Sequence, residues 1–534
     1  MTDRRQDVDL VIVGAGFAGM YMLHRARSAG LSAVVLERGG GVGGTWYWNR
    51  YPGARCDIES MEYSFEFSDE LQQEWDWSER YAPQPEILRY AEHVADRFDL
   101  RCDIRFDTTV VAATFSDDTS LWTVRTEAGE EIVGQFVVMA TGCLSSANTP
   151  TIEGADTFTG PTYHTGRWPH EGVDFSGLRV GIIGTGSSAV QSIPIIAREA
   201  AELIVFQRTA TYTVPAHNRP LEPAERAAIK ADYAAFRAEN RTMVPAFGAR
   251  LRRSEISALE ATPEERAAEF DARWQQGGLS FLGAFTDLLI SPDCNEMAAD
   301  YVRDRIREIV VDPKVAEKLT PTQVIGCKRL CVDTGYYETF NRPNVHLVDL
   351  QSTPIERITP GGIRTTAGDH QLDCIIYATG FDAMTGALLR VDIRGRDGVA
   401  LGEAWAAGPR TYLGLSVAGF PNLFTITGPG SPSVLTNMLV SIQQHVEWIA
   451  DCVTYLRDHD HRAIEATVEA QDAWVDWVNL IADFTLYPKC NSWYLGANVP
   501  GKKRVFMPLI GFPDYAAKCA QVAQDSYSGF TLVD

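Results

Sequence analysis

The 534-residue sequence has no Cys-x-x-Cys pair, no excess of positive charge, and no apolar run long enough to span a bilayer. The first absence argues against a dithiol redox motif or a structural zinc site, both of which need closely spaced thiolates. The second follows from 48 basic against 70 acidic residues, a net charge of −22. That balance argues against nucleic acid or an anionic membrane as partner, because each demands a basic patch. The third argues against an integral membrane protein, since a spanning helix needs about 18 apolar residues or more. The opening MTDRRQDVDL has two arginines but no apolar signal core, so the cytoplasm is the expected location. No tandem repeat or low-complexity run stands out. Ten cysteines are scattered through the chain, the nearest two being Cys327 and Cys331 in CKRLC. They are expected to be mostly buried small apolar residues, with no disulfide framework.

What is present is a glycine turn, twice. Residues 7–13, DVDLVIV, form an apolar run suited to a doubly buried strand, and they enter GAGFAG. Helical spacing to about residue 29 and a second strand, SAVVLER, complete a βαβ unit. Gly14 makes the tight turn, Gly16 admits a pyrophosphate to the backbone, and Gly19 lets helix pack on strand. The phosphates sit on the helix N-terminus beside Ala18, and Glu37 closes the second strand where an acid accepts from a ribose. Residues 178–183 repeat the pattern into GTGSSA, with Gly184, Thr185, Gly186, Ser187, Ser188 and Ala189. Gly14 to Glu37 is 23 positions and Gly184 to Arg208 is 24. The two units are in near register, but the second places arginine where the first places glutamate. An acid repels a 2′-phosphate and arginine grips it. Site one therefore suits FAD and site two NADPH.

Between and beyond these units lie less regular stretches. Residues 43–57, GGTWYWNRYPGARCD, read as a structured loop. Its Trp46, Tyr47 and Trp48 either wall a flat ring or plug the core, and Arg55 and Asp57 each need a partner there. A helix is expected over about 82–99, and strands over 109–113, 122–126 and 135–140. Residues 214–326 read as a helical insertion whose charges mostly face solvent. The fold class is α/β, with two Rossmann-like dinucleotide-binding domains and that insertion. Residues 1–145 and 382–534 are assigned to FAD, 146–213 and 327–381 to NADP.

A flavin and a reduced nicotinamide in one chain mean hydride transfer. With no dithiol near the flavin and no metal-ligand cluster, molecular oxygen is the remaining common acceptor. A flavin peroxide needs a dry pocket and a fixed positive group. Arg329 is the candidate for that group, with Lys328 reaching for a phosphate of NADPH.

The residues 158–169, FTGPTYHTGRWP, match FxGxxxHxxxWP through Phe158, Gly160, His164, Trp168 and Pro169. This resembles the fingerprint of type I Baeyer–Villiger monooxygenases, nearest the phenylacetone and steroid types. Residues 43–57 resemble the family's second signature, through Trp46, Pro52 and Asp57. The resemblance implies an NADPH-dependent enzyme that turns ketones into esters or lactones through a C4a-peroxyflavin. It implies Arg329 and Asp57 as the catalytic pair. Glu37, Thr45, Trp46, Trp48, Tyr63, Val110 and Met438 become flavin contacts. Arg55, Arg208, Thr209, Lys328 and Trp493 become NADP contacts, Trp493 from a mobile loop within residues 491–504. Cys143, Leu144, Ser433, Val434 and Leu435 line the implied substrate pocket, shaped for bulky cyclic or aryl ketones; the phenylacetone type carries glutamine where this chain has Cys143. His164 becomes a hinge residue or a hydrogen-bonded linker without direct chemistry. A monomer or weak homodimer is expected. The alternatives are a monooxygenase acting on amines or sulfides, and a flavin-binding redox sensor without turnover.

Overall fold

The computed structural model describes residues 7–248, 253–497, 499–501 and 511–534. The expectations for residues 1–6, for 249–252 of the insertion, and for Asn498 and 502–504 of the C-terminal loop lie outside these.

The first glycine turn sits where the sequence pattern puts it. Strand β1 (Val8–Val13) runs into helix α1 (Phe17–Ser28), and the chain returns through strand β2 (Ala33–Leu36), parallel to β1. On its other side β1 pairs in parallel with β3 (Glu131–Met139). Val13 is level with both Leu36 and Met139, so the three strands end together at their carboxyl edge. Ligands of open α/β sheets collect at that edge. Leu10, Val11 and Ile12 are wholly buried, so removing one such side chain is expected to cost about 2–5 kcal/mol. The full sheet has eight strands. It extends through Leu121–Thr126, Val110–Ser116 and Asp392–Arg394 at one edge and Ile104–Arg105 at the other, and Leu423–Thr425 adds to β3.

The second unit repeats the plan in a five-stranded parallel sheet. Strand β4 (Thr162–His164) lies at one edge, and the glycine turn joins β5 (Arg179–Ile183) to helix α2 (Ser187–Glu199) and β6 (Glu202–Gln207). Strand β7 (Cys374–Tyr377) sits between β4 and β5, and Val345–Asp349 closes the far edge. The fingerprint segment therefore enters this sheet directly, through the pairing of β4 with β7.

The insertion is helical: Pro223–Ala231, Tyr233–Thr242, Pro263–Gln276, Pro292–Ile309 and Pro313–Leu319. Four of the five begin with proline, whose fixed φ and missing N–H suit the first helical position. Not all of its charges face solvent. Arg237 is buried on the Glu62 carbonyl and Ser64 Oγ, and Arg303 is buried on the Pro321 carbonyl with Glu296 and Asp300. Arg237 fastens the insertion to the body of the protein, and Arg303 braces the insertion internally.

Two further expectations change. The aromatic stretch is not wholly loop, because Thr45–Trp48 forms one helical turn. Trp46 is buried and its indole N–H reaches the Tyr63 hydroxyl at 3.1 Å, so packing overrides the weak local propensity. Of the cysteines, Cys327 and Cys490 form a disulfide across 163 positions. Seven others are buried as expected and Cys102 is exposed. Composition does not reveal that pair, since only the fold brings the two positions together. Among the described residues, no helix is long and apolar enough to cross a membrane.

Candidate active site

Both glycine turns use the same local device. Gly14 has φ +104° and Gly184 φ +111°. A Cβ at Gly14 would stand 2.7 Å from the Ala140 carbonyl, and one at Gly184 2.5 Å from that of Ala378. Both helices start at a glycine N-cap with no side-chain cap, Gly16 and Gly186. Their first N–H groups are therefore left for an outside acceptor, as a phosphate supplies. The third positions differ. A Cβ at Gly19 would stand 1.8 Å from the Gly14 carbonyl, whereas Ala189 is accommodated in full burial. Gly19→Ala is expected to cost at least about 1–3 kcal/mol through overpacking. It should show as a lower urea midpoint and less flavin absorbance per milligram of purified protein; an unchanged flavin content would exclude this account.

Glu37 follows β2 at the first turn. Its Oε2 accepts from Ala15 N and its Oε1 from Gly39 N, each at 2.7 Å. Burial pushes its carboxyl pKa up, and these two N–H groups only partly offset that. A buried carboxylate with remaining lone pairs at a cavity wall is suited to ribose hydroxyls.

The cavity at the carboxyl edge of the first sheet has a volume of about 510 Å³. It is lined by Gly14, Gly16, Ala18, Glu37, Thr45, Trp46, Trp48, Tyr63, Val110 and Met438, which come from six separate stretches of chain. Gly19 lies behind the turn, in the helix–strand contact. The aromatic stretch divides its labour: Trp46 and Trp48 face the cavity, while Tyr47 packs on Gly39, Gly41 and His170. Arg55, Asp57, Ser187, Arg329 and Trp493 line the same cavity, so the first unit, the second unit and the C-terminal segment meet there. Tyr51 Oη donates to Gln191 Oε1 at 2.8 Å, and Gln191 Nε2 donates to the Arg55 carbonyl at 3.1 Å, joining loop 43–57 to α2.

Arg329 is fixed from three sides. Its Nε and Nη2 donate to the two oxygens of Asp57 at 2.6 and 2.9 Å, a bidentate pair. Its Nη1 donates to the Val434 carbonyl, and its guanidinium lies over the Phe247 ring, 5.0 Å from the centroid. Burial by itself would lower its pKa, but Asp57 outweighs burial and raises it. The group stays a cation in a largely dry site. Tyr494 is buried beside it, and burial raises its phenol pKa, so it stays neutral. Arg55 pairs with Glu79 at 3.2 Å.

The substrate-pocket candidates divide. Cys143, Leu144 and Val434 line the cavity. Ser433 is wholly buried with its hydroxyl on Met384 Sδ, and Leu435 packs among Cys143, Tyr494 and Trp493 outside the lining. Residues 433–435 form a single 3₁₀ turn. Successive side chains there point about 120° apart, so only one of the three faces the cavity.

At the second turn, Thr185 Oγ1 donates to the Thr209 carbonyl and Ser188 Oγ meets Thr165 Oγ1 at 3.0 Å. Arg208 is exposed and Lys328 half-buried. Burial, then the nearby Arg208, lower the Lys328 pKa. Two neighbouring cations form no ion pair among the described residues, as suits a 2′-phosphate. In the fingerprint, Trp168 is buried against Tyr163 and Phe175, and Phe158 packs on the core of the second sheet. A Cβ at Gly160 would stand 2.3 Å from the Asp373 carbonyl. His164 Nδ1 accepts from Gly166 N at 2.9 Å, and Nε2 lies 3.4 Å from both the Asn148 carbonyl and Thr379 Oγ1. It is not among the cavity-lining residues. Sequence reasoning did not single out Phe247 or Tyr494. Only Tyr494 had a signal, as neighbour of Trp493.

The chain is similar to known proteins along nearly its whole length. The family model for pyridine nucleotide-disulphide oxidoreductases matches residues 11–244. A Baeyer-Villiger monooxygenase of Pseudooceanicola batsensis is 45% identical over 98% of this chain and 96% of its own. The structure of an oxidized steroid monooxygenase bound to NADP is 53% identical, covers 98% of this chain and 99% of its own, and superposes with a TM-score of 0.94. The OTEMO complex with FAD and NADP gives 41% identity, 99% and 100% coverage, and a TM-score of 0.96. Two uncapped glycine turns, a buried acid at one and paired cations at the other, with a fixed arginine between them, therefore have a family to account for them: the chain belongs to the Baeyer–Villiger monooxygenases, with FAD and NADPH as cofactors.

Proposed function

We propose that this enzyme inserts one atom of molecular oxygen beside the carbonyl of bulky cyclic or aryl ketones. Ketone, O₂, NADPH and a proton give ester or lactone, NADP⁺ and water. FAD, held by the residues that line the cavity, would supply hydride-accepting and oxygen-activating chemistry. Residues 1–145 with 382–534 hold FAD, 146–213 with 327–381 hold NADP, and 214–326 are the insertion, a division that follows the two sheets. A monomer or weak homodimer in the cytoplasm is proposed.

The observation that carries this reading is Arg329, held as a permanent cation by Asp57 at the wall of the flavin cavity. A preoriented guanidinium stabilises negative charge developing on oxygen without reorganising. Cys143, Leu144, Val434, Ile442 and Trp493 give that side of the cavity an apolar lining and limit water. Arg55, Arg208, Thr209 and Lys328 orient NADP, and Trp493 covers it. His164, neutral because burial lowers its pKa, holds the crossover between the two units by its bonds to residues 148, 166 and 379.

The test is aerobic turnover with NADPH and a panel of cyclic, aryl and short linear ketones, with products identified by mass. Esters or lactones 16 mass units above the bulky ketones are expected. Turnover confined to short linear ketones would overturn the substrate class.

A further inference from the structure

The disulfide Cys327–Cys490 joins the two segments that deliver the cation and its cover. Cys327 immediately precedes Lys328 and Arg329. Cys490 immediately precedes the segment that carries Trp493 and Tyr494. Trp493 lines the cavity, and Tyr494 is buried beside Arg329. Among the described residues, the backbone hydrogen bonds of 490–497 are all local: Cys490 N to Tyr487 O, Leu495 N and Ala497 N to Ser492 O, Gly496 N to Trp493 O. Among the described residues, side-chain packing, the contact of Tyr494 with Arg329 and one covalent link hold this arm in place. The Cα atoms of the pair are 5.7 Å apart, within ordinary disulfide reach.

We propose that Cys327 and Cys490 form a redox site, a thiol pair oxidised by hydrogen peroxide and reduced by small dithiols, whose disulfide latches the Trp493–Tyr494 arm over Arg329. In the oxidation one thiolate attacks a peroxide oxygen, the O–O bond breaks, and water leaves a sulfenic acid. The second thiol attacks that sulfur and a second water departs. Two electrons and two protons pass from the pair to the peroxide. In the reduction a dithiol attacks one Sγ, its second thiol resolves the mixed disulfide, and it leaves as a cyclic disulfide. The two protons end on Cys327 and Cys490. With these residues 4% and 8% exposed, exchange requires the arm to lift. The effect on turnover, though not the site itself, rests on the reading of Arg329 given above.

The experiment uses the full-length holoenzyme, treated with hydrogen peroxide or dithiothreitol, desalted, and alkylated in urea with N-ethylmaleimide. Of ten cysteines, eight should alkylate after peroxide and all ten after dithiothreitol, with a crosslinked 327–490 peptide only in the former. Trypsin should cut after the exposed Lys489 at least fivefold faster in the reduced form, and Cys490→Ser should behave as reduced without any reductant. Peroxide released per NADPH consumed should rise at least threefold in the reduced form, while anaerobic flavin reduction stays within twofold. Ten alkylated cysteines after both treatments would overturn the site. A crosslink that leaves proteolysis unchanged would overturn the latch. Alkylation and proteolysis read the pair even if no ketone is oxidised, so a failure of the proposed reaction is told apart from a failure of the latch.

Discussion

Arg329→Ala is expected to abolish ester formation while leaving NADPH consumption. The guanidinium is fixed by Asp57 and the Val434 carbonyl before substrate arrives, so its stabilisation of developing charge carries no reorganisation cost. Removing one preorganised donor of this kind costs roughly 10²–10³ in rate, and a full cation should lie at or above the upper end. On the proposed reading, hydride delivery depends on Arg208, Lys328 and the second turn, which the substitution does not touch. Oxygen uptake should therefore continue, with peroxide released nearly one for one with NADPH. The substitution also leaves Asp57 without its cation, and breaking this partly buried pair should cost less than the about 3–5 kcal/mol of a fully buried one. Arg329→Lys separates the two effects. It retains the charge for Asp57 but loses the bidentate fork, so stability should recover more than ester formation does. Ester formation in Arg329→Ala within tenfold of the parent would remove this residue from the role.

Much of this site could be read from the sequence, and for a definite reason. The two βαβ units are local patterns, in which strand, glycine turn, helix and the terminal acid or arginine run from Val8 to Glu37 and from Arg179 to Arg208, 29 positions each. Arg329 and Asp57 are 272 positions apart, yet each sits in a segment resembling a family signature, and the resemblance supplied the pairing. Phe247 lacked any such cue. It comes from the helical insertion, and only the fold lays its ring under Arg329. The Cys327–Cys490 crosslink was hidden in the same way, behind a nearer partner, Cys331, that the folded chain buries against Ser187. Ser433 and Leu435 show the converse. Neighbours in sequence were expected to share a pocket, and one 3₁₀ turn sends them to different sides of the wall.

Arg208→Ala should change which nicotinamide the enzyme takes. Arg208 and Lys328 face one another without an acidic partner among the described residues, so in the free protein they repel. A 2′-phosphate relieves that repulsion and gains charge-assisted bonds, each about 1.5–3 kcal/mol. Losing one cation should weaken NADPH roughly 10- to 100-fold, while NADH, which has only a hydroxyl there, changes by less than about threefold. The pH dependence gives a second reading. Burial and Arg208 lower the Lys328 pKa, and the bound phosphate returns it toward the ordinary lysine value of about 10.4. The liganded state thus favours the proton, so NADPH affinity falls as pH rises from the depressed pKa toward the ordinary one. It also falls below about pH 6, where the phosphate loses charge. In Arg208→Ala the Lys328 pKa should rise, moving the alkaline fall to higher pH as overall affinity drops. Binding titrations with both nucleotides across pH would show it. Equal losses for NADPH and NADH, or an unmoved alkaline limb, would mean that the phosphate is recognised elsewhere.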